Sequence, residues 1–241
     1  MPKFVELWVY LSATPLFGLT ATLAIYALAQ AMYLRLKQPP WANPVLWTVI
    51  VIASALLATG VPYPTYFAGA QFIHFLLGPA VVALGWPLWL RRAELRQRWG
   101  RLVVASLAGG AAASLVAVAL AYALALPHGI LLSLAPHSVT APVAMGIAEK
   151  LGGVPALAAV FAVLTGLIGA ISGRYLFNLL RIPFTRRGWM ARGFALGTAA
   201  QGIGAARAMQ VDADAGAYAG LALGLQVVLA SLLMPVIFRL L

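Results

Sequence analysis

Ser138 and Thr140 flank Val139 just ahead of Pro142, inside the otherwise lipid-soluble stretch His137 to Ala159. Hydroxyls at that spacing offer donors and acceptors to a carboxylate or a hydrated ion; the other reading has them bonding back to carbonyls of their own helix. Pro142 and Pro155 lack an amide hydrogen and Gly152-Gly153 weakens any helix, so neighbouring backbone groups need partners outside the helix ladder. At membrane depth such groups are tolerated only against protein or a water-filled cavity, and transporters aim broken helix ends of this kind at substrates and ions. Glu149 and Lys150, adjacent and so not facing each other on a helix, suit a membrane edge with snorkelling side chains.

A second set lies in Gly193 to Gln210, where four glycines accompany Thr198, Gln201 and Arg207. Small residues three and four apart allow close helix contact. The guanidinium of Arg207 can hold a carboxylate bidentately; its other partners would be Asp212, Asp214 or an interfacial headgroup. Nothing here predicts an enzyme. His74, His128 and His137 lack metal-ligand spacing, no Ser-His-Asp or Cys-His set assembles, and cysteine is absent. There is no Walker motif, and Gly202-x-Gly204 follows no strand, so neither a metal nor a nucleotide cofactor is expected.

The elements that hold these residues must be membrane helices. The 241 residues are 63% hydrophobic and 9% charged, with a mean hydropathy of +0.95. No charged residue occurs between Lys37 and Arg91 or between Arg101 and Glu149, and each gap admits two passes of about 20 residues. The predicted fold class is an all-α polytopic membrane protein, one domain over residues 1–241 with about six to eight transmembrane helices. Six passes read clearly: Leu7 to Tyr33, Pro44 to Thr59, Ala70 to Leu90, Leu102 to Leu126, Val154 to Leu180 and Gly216 to Leu240. Pro136 to Gly153 and Gly193 to Met209 are short and rich in small residues, hence re-entrant elements or broken passes. Trp8, Tyr10, Tyr33, Trp41, Trp86 and Trp89 lie near predicted ends, as interfacial anchors do. Gly78 and Pro79, in Leu77 to Gly85, echo the interruption at Pro142, which hints at an internal inverted repeat with two broken helices.

The net charge of +11 does not imply nucleic acid. Twelve of the sixteen basic residues fall in three predicted loops, at Arg35 and Lys37, at Arg91 to Arg101, and at Arg174 to Arg192. The positive-inside rule places all three in the cytoplasm, in contact with the lipid surface, and the N-terminus outside. That count requires Pro136 to Gly153 not to cross fully, and the C-terminus is external only if Gly193 to Met209 does not cross either. The apolar run Leu7 to Leu34 is too long for a signal peptide and is expected to stay as the first helix.

Several motifs in one order resemble the bacterial LrgB/CidB family: Ser138-Val139-Thr140-Ala141-Pro142-Val143-Ala144-Met145, then Gly152-Gly153-Val154-Pro155-Ala156, then Gly197-Thr198-Ala199-Ala200-Gln201-Gly202-Ile203-Gly204-Ala205-Ala206-Arg207. Asn43-Pro44, Tyr66-Phe67 and Leu77-Gly78-Pro79-Ala80 extend the resemblance over essentially the whole chain. It implies a multi-pass protein of the bacterial inner membrane, homo- or hetero-oligomeric, working with a small LrgA/CidA-type membrane partner. Two functions are attached to the family. One is carriage of small organic monocarboxylates of the glycolate, lactate or pyruvate type; the other is holin/antiholin-like regulation of murein hydrolase activity and autolysis. Interior hydroxyls, broken helices and an arginine favour the carrier, with Ser138, Thr140, Thr198, Gln201 and Arg207 lining its site. Gln201 stands where relatives often have His, and glutamine carries no proton at neutral pH, which speaks against proton coupling through that residue. A more distant likeness to bile-acid symporters and cation/proton antiporters implies inverted repeats and crossed broken helices.

Overall fold

The computed structural model describes residues 16–83, 85–90 and 92–240, and among them every regular element is a helix. The predicted start at Leu7, the anchors Trp8 and Tyr10, and Arg91 lie outside the described residues. The chain divides into two compact units, Met1–Val82 and Ala83–Leu241.

The first unit holds α1 (Phe17–Arg35), a 3-10 turn (Pro40–Ala42), α2 (Pro44–Thr59) and α3 (Tyr63–Ala83), whose last residue falls in the second unit. The start of α2 follows from Asn43-Pro44. Asn43 Oδ1 accepts from the amides of Val45 (2.9 Å) and Leu46 (3.3 Å), while Pro44 sits where no amide is needed. The helix ends at Gly60, whose φ of 68° is left-handed. Gly18 lets α1 approach α3 closely, since a Cβ there would lie 2.3 Å from the Tyr66 carbonyl oxygen. Beside it Thr22 Oγ1 and the Tyr66 hydroxyl share a 2.7 Å hydrogen bond. The described residues of the pass predicted over Ala70 to Leu90, 70–83 and 85–90, are helical. Pro79 does not end a helix but lies inside α3.

The second unit contains α4 (Gly85–Leu90), α5 (Arg92–Ala123), α6 (His128–Leu134), α7 (Ala141–Leu151), α8 (Pro155–Leu179), α9 (Arg186–Ala199), α10 (Gln201–Val211) and α11 (Ala213–Leu240). Two predicted loops are largely helical. Arg92 to Arg101 forms the first turns of α5, because Arg, Glu and Gln favour helix and nothing in that segment breaks one. Arg186, Arg187 and Arg192 belong to α9, which Thr185 caps by accepting from the Gly188 amide at 3.3 Å.

Helix α11 is the hub, in contact with α4, α5, α7, α9 and α10. Its contact with α9 depends on small residues one turn apart: Gly193 and Gly197 lie on the Ala215 and Ala219 carbonyls. A Cβ would come within 2.0 and 2.1 Å of those oxygens, so only glycine permits the approach. Ala205, Ala208, Ala215, Ala219 and Leu223 form the core of this α9–α10–α11 layer. A second core joins Val139, Ala144, Ile147 and Ala148 to Ala158, Ala162, Ala230 and Met234. Outward faces stay apolar: Leu115 and Leu232 are 68% and 65% exposed, as lipid-facing side chains would be. Four helices are long and apolar enough to cross a membrane, Phe17–Arg35, Arg96–Ala123, Pro155–Leu179 and Ala213–Ile237, and α2 is a shorter apolar one. The chain is thus an all-α, multi-pass membrane protein.

Both short segments are closed excursions rather than crossings. The first leaves at Ser133 and comes back to it: the Val154 amide donates to Ser133 Oγ at 2.7 Å, and Gly153 lies against the Leu132–Ser133 backbone. The second leaves at Gly193 beside Ala215 and returns at Met209 beside Gly216. The base of the first lies at the N-terminal end of α8. The base of the second lies at its C-terminal end, where Arg192 Nη1 donates to Asn178 Oδ1 at 3.1 Å. The excursions therefore enter from opposite ends of α8.

Candidate functional site

The turn of the first excursion is built by its prolines and closed by neighbours. After α6 ends at Leu134 the chain runs through 135–140 without regular structure, and α7 starts with Pro142 in its first turn, where its missing amide costs nothing. Ser114 Oγ donates to the Ala135 carbonyl (2.9 Å), the Val139 amide to the Pro136 carbonyl (3.1 Å), and Gln201 Nε2 to the His137 carbonyl. Thr140 occupies the N-cap position of α7 but makes no cap bond. Its hydroxyl and that of Ser138 are buried and have no partner. A buried hydroxyl left so costs about 1–3 kcal/mol. At its far end α7 stops at Gly152, with a left-handed φ of 85°, and Pro155 opens α8. Glu149 and Lys150 are exposed on its last turns.

The second excursion breaks between Ala199 and Gln201. Gln201 has φ 52°, a left-handed conformation that a side chain with a Cβ resists. What holds it is the side-chain amide, which donates to the His137 carbonyl of the first break and, at 3.2 Å, to the Ala162 carbonyl of α8. Gly169 and Gly204 close around Ala200, each leaving room that a Cβ 2.5 Å from the Ala200 methyl would fill. The two breaks therefore meet beside the middle of α8 through one glutamine.

Two cavities lie in the same unit, and neither is lined by Ser138, Thr140 or Gln201. The larger, about 620 Å³, is lined by Arg98, Arg101 and Gly109 of α5, by Arg187, Met190, Phe194 and Thr198 of α9, and by Tyr218 of α11. Its arginines give it a positive wall at the end where Glu94 bonds the Tyr218 hydroxyl (2.8 Å) and faces Arg186 (3.7 Å). Thr198 lies at its inner side, against Gly109, and donates to the Phe194 carbonyl at 3.0 Å, bonding back to its own helix. The other, about 410 Å³, lies between α5 and α11 among Ser106, Gly110, Ser114, Gln226 and Met234. There Ser106 Oγ and Gln226 Oε1 are also buried and unpartnered, and Gly110 makes room for the Gln226 amide.

Of the five residues predicted to line a site, Ser138, Thr140 and Gln201 come together at the breaks, with Thr198 less than one turn away from Gln201. Arg207 does not join them. It lies about 9 Å further along α10 and lines a separate cavity with Arg174 and Arg192. Sequence reasoning missed Ser106, Ser114 and Gln226. The available signal was the rarity of such polar side chains in apolar helices, where they turn inward. Among the described residues no group of His, Asp and Glu is arranged to hold a metal.

The sequence pattern of the LrgB-like family matches residues 22–240. The chain is 34% identical over 216 residues to the uncharacterized protein YxaC of Bacillus subtilis (strain 168), covering 90% of this chain and 92% of YxaC. It is 30% identical over 221 residues to the holin-like protein CidB of Staphylococcus aureus (strain Mu50), covering 91% of this chain and 93% of CidB. An uncharacterized protein of Haemophilus influenzae is 30% identical over 198 residues, covering 82% of this chain and 84% of that protein. No solved structure matches the chain.

Proposed function

Because this chain belongs to the LrgB-like family, we propose that it acts as a holin-like, non-enzymatic regulator of envelope lysis in the bacterial cytoplasmic membrane. The observation that carries this is the similarity to a holin-like protein along 91% of the chain. It reverses the preference that the residues alone suggest, since the comparisons favour the lysis reading over the carrier. The match runs across both compact units, which supports treating residues 1–241 as one membrane domain. A small LrgA/CidA-type protein is the expected partner. Two experiments test the proposal. Loss of the protein changes autolysis in cells given no organic acid, and reconstitution with the partner releases large entrapped dyes. Unchanged autolysis together with retained dye would overturn it.

The second reading is a carrier for small monocarboxylates, and a specific geometry favours it. Two excursions entering from opposite ends of α8 meet at Gln201, beside the unpartnered Ser138 and Thr140 hydroxyls. Hydroxyls buried without partners suit a carboxylate that arrives with its own acceptors, and opposed broken helices suit access from either face in turn. In this reading the arginines of the larger cavity raise the local anion concentration, Thr198 borders the path, and the two hydroxyls hold the carboxylate. Arg207 would act from its own cavity rather than on the same carboxylate. Saturable uptake of labelled glycolate, lactate or pyruvate into proteoliposomes under a proton or sodium gradient tests it. Absence of saturable uptake, with dye release intact, would leave the lysis reading alone.

A further inference from the structure

Helices α5 and α11 alone enclose the cavity of about 410 Å³, a size within the range of about 300–1,000 Å³ that small-molecule sites occupy. Its polar groups gather at one end. Ser106 lies one turn before Gly110, where an added Cβ would come 2.0 Å from Gln226 Nε2, so the serine and the glutamine head group share that end. Ser106 is 0% and Gln226 3% exposed, and Ser106 Oγ and Gln226 Oε1 are buried without partners. The third polar side chain, Ser114, is engaged, donating to the Ala135 carbonyl at 2.9 Å. Beyond it the walls are hydrocarbon, and among the described residues no charged side chain lines the cavity. Leu115, Leu233 and Ile237, at its apolar end, are 68%, 39% and 49% exposed, so that end reaches the outer surface of this unit.

Whatever fills this space must suit both ends. Water does not, because about fourteen molecules at about 30 Å³ each would fill it and each would need about two to four polar partners. A plain acyl chain covers the hydrocarbon walls but leaves the serine and glutamine groups unsatisfied in a medium without water. A carboxylate brings acceptors only, so it offers nothing to Gln226 Oε1, and no cation lines the cavity to balance its charge. A hydroxyl meets both needs: its O–H donates to Gln226 Oε1 and its oxygen accepts from the Ser106 hydroxyl. We infer that the gap between α5 and α11 is a binding site for an uncharged long-chain alcohol of the membrane, its hydroxyl held by Ser106 and Gln226 and its chain running out past Leu115 and Leu233. The site is separate from the two helix breaks, and the inference rests on neither function proposed above.

The test uses the full chain in phosphatidylcholine nanodiscs with dodecanol that carries a photoactivatable diazirine near the end of its chain. Cross-linked positions are mapped by peptide mass spectrometry, and unlabelled dodecanol, dodecane and dodecanoate serve as competitors. Saturable labelling of α5 and α11 at the apolar end of the gap is expected, displaced by dodecanol at concentrations about ten-fold lower than by dodecane or dodecanoate. Gln226→Leu removes the acceptor and Ser106→Ala deletes a single buried oxygen; each is expected to weaken dodecanol binding about ten-fold. Ser172→Ala is the control, because that hydroxyl bonds the Ile168 carbonyl of its own helix, and it is expected to leave binding unchanged. The inference is overturned if dodecane or dodecanoate competes as well as dodecanol, or if labelling falls on other helices. It is overturned equally if Gln226→Leu and Ser106→Ala bind like the unaltered chain or if Ser172→Ala weakens binding as much. A protein segment in the gap, from this chain or a second copy, would shield Leu115→Cys and Leu233→Cys from a lipid-soluble maleimide, and that outcome also overturns it.

Discussion

Replacing Ser138 by Ala and Thr140 by Val removes two buried hydroxyls that bond to nothing in the protein. Losing an unsatisfied polar group relieves a cost of about 1–3 kcal/mol, so the double variant is expected to unfold no earlier than the unaltered chain. If the carrier reading holds, its uptake falls at least about ten-fold; paired thermal-unfolding and uptake measurements separate the two effects. A lower midpoint would instead assign the hydroxyls to the fold. Gln201 is the opposite case, because its amide satisfies the His137 and Ala162 carbonyls and its backbone is left-handed. Gln201→Ala is expected to cost about 2–3 kcal/mol, and Gln201→Gly about 1 kcal/mol less, since glycine adopts that φ freely. Equal midpoints for the two would remove backbone strain from the account.

At the scale of elements, glycines in neighbouring helices have opposite roles. Gly197 lies on the Ala219 carbonyl at the α9–α11 contact, whereas Gly146, in the interior of α7, has nothing within 4 Å of where a Cβ would go. Gly197→Ala must push the helices apart and is expected to lower stability by about 1–3 kcal/mol. Gly146→Ala adds only helix propensity and is expected to raise it by about 0.5–1 kcal/mol. Unfolding midpoints of the two variants should move in opposite directions. The passes read at Pro44 to Thr59 and Val154 to Leu180 match the helices Pro44–Thr59 and Pro155–Leu179, because their apolar runs are long and cleanly bounded. The basic start of α5 was not legible, because hydropathy reports where lipid lies and says nothing of where a polar helix ends. Pro79 was misread for a related reason: a proline removes one amide but does not by itself end a long apolar helix.

At the largest scale, the two closed excursions of the second unit bear on the sides of its basic segments. With neither crossing, Arg92 to Arg101 and Arg181 to Arg192 fall on one face of the membrane, and the end of α7 at Lys150 on the other. The chain has no cysteine, so single substitutions report this directly. Lys150→Cys is expected to react with a membrane-impermeant maleimide in intact cells, and Arg187→Cys only after permeabilisation. Labelling of both from one side would contradict the arrangement.

The amino-acid sequence by itself determined that this is an all-helical membrane protein, because so apolar a chain with clustered arginines admits no other solvent. It also marked Ser138, Thr140 and Gln201, since hydroxyls, prolines and glycines at membrane depth are costly unless used. Tertiary structure alone decided that the two interrupted segments turn back and meet, that Gln201 joins them, and that Arg207 belongs to a different cavity with Arg174 and Arg192. Those relations depend on helix approaches set by Gly193, Gly197, Gly166 and Gly169 against distant backbone. A helical period predicts which side of a helix a residue occupies, but not which helix it will face.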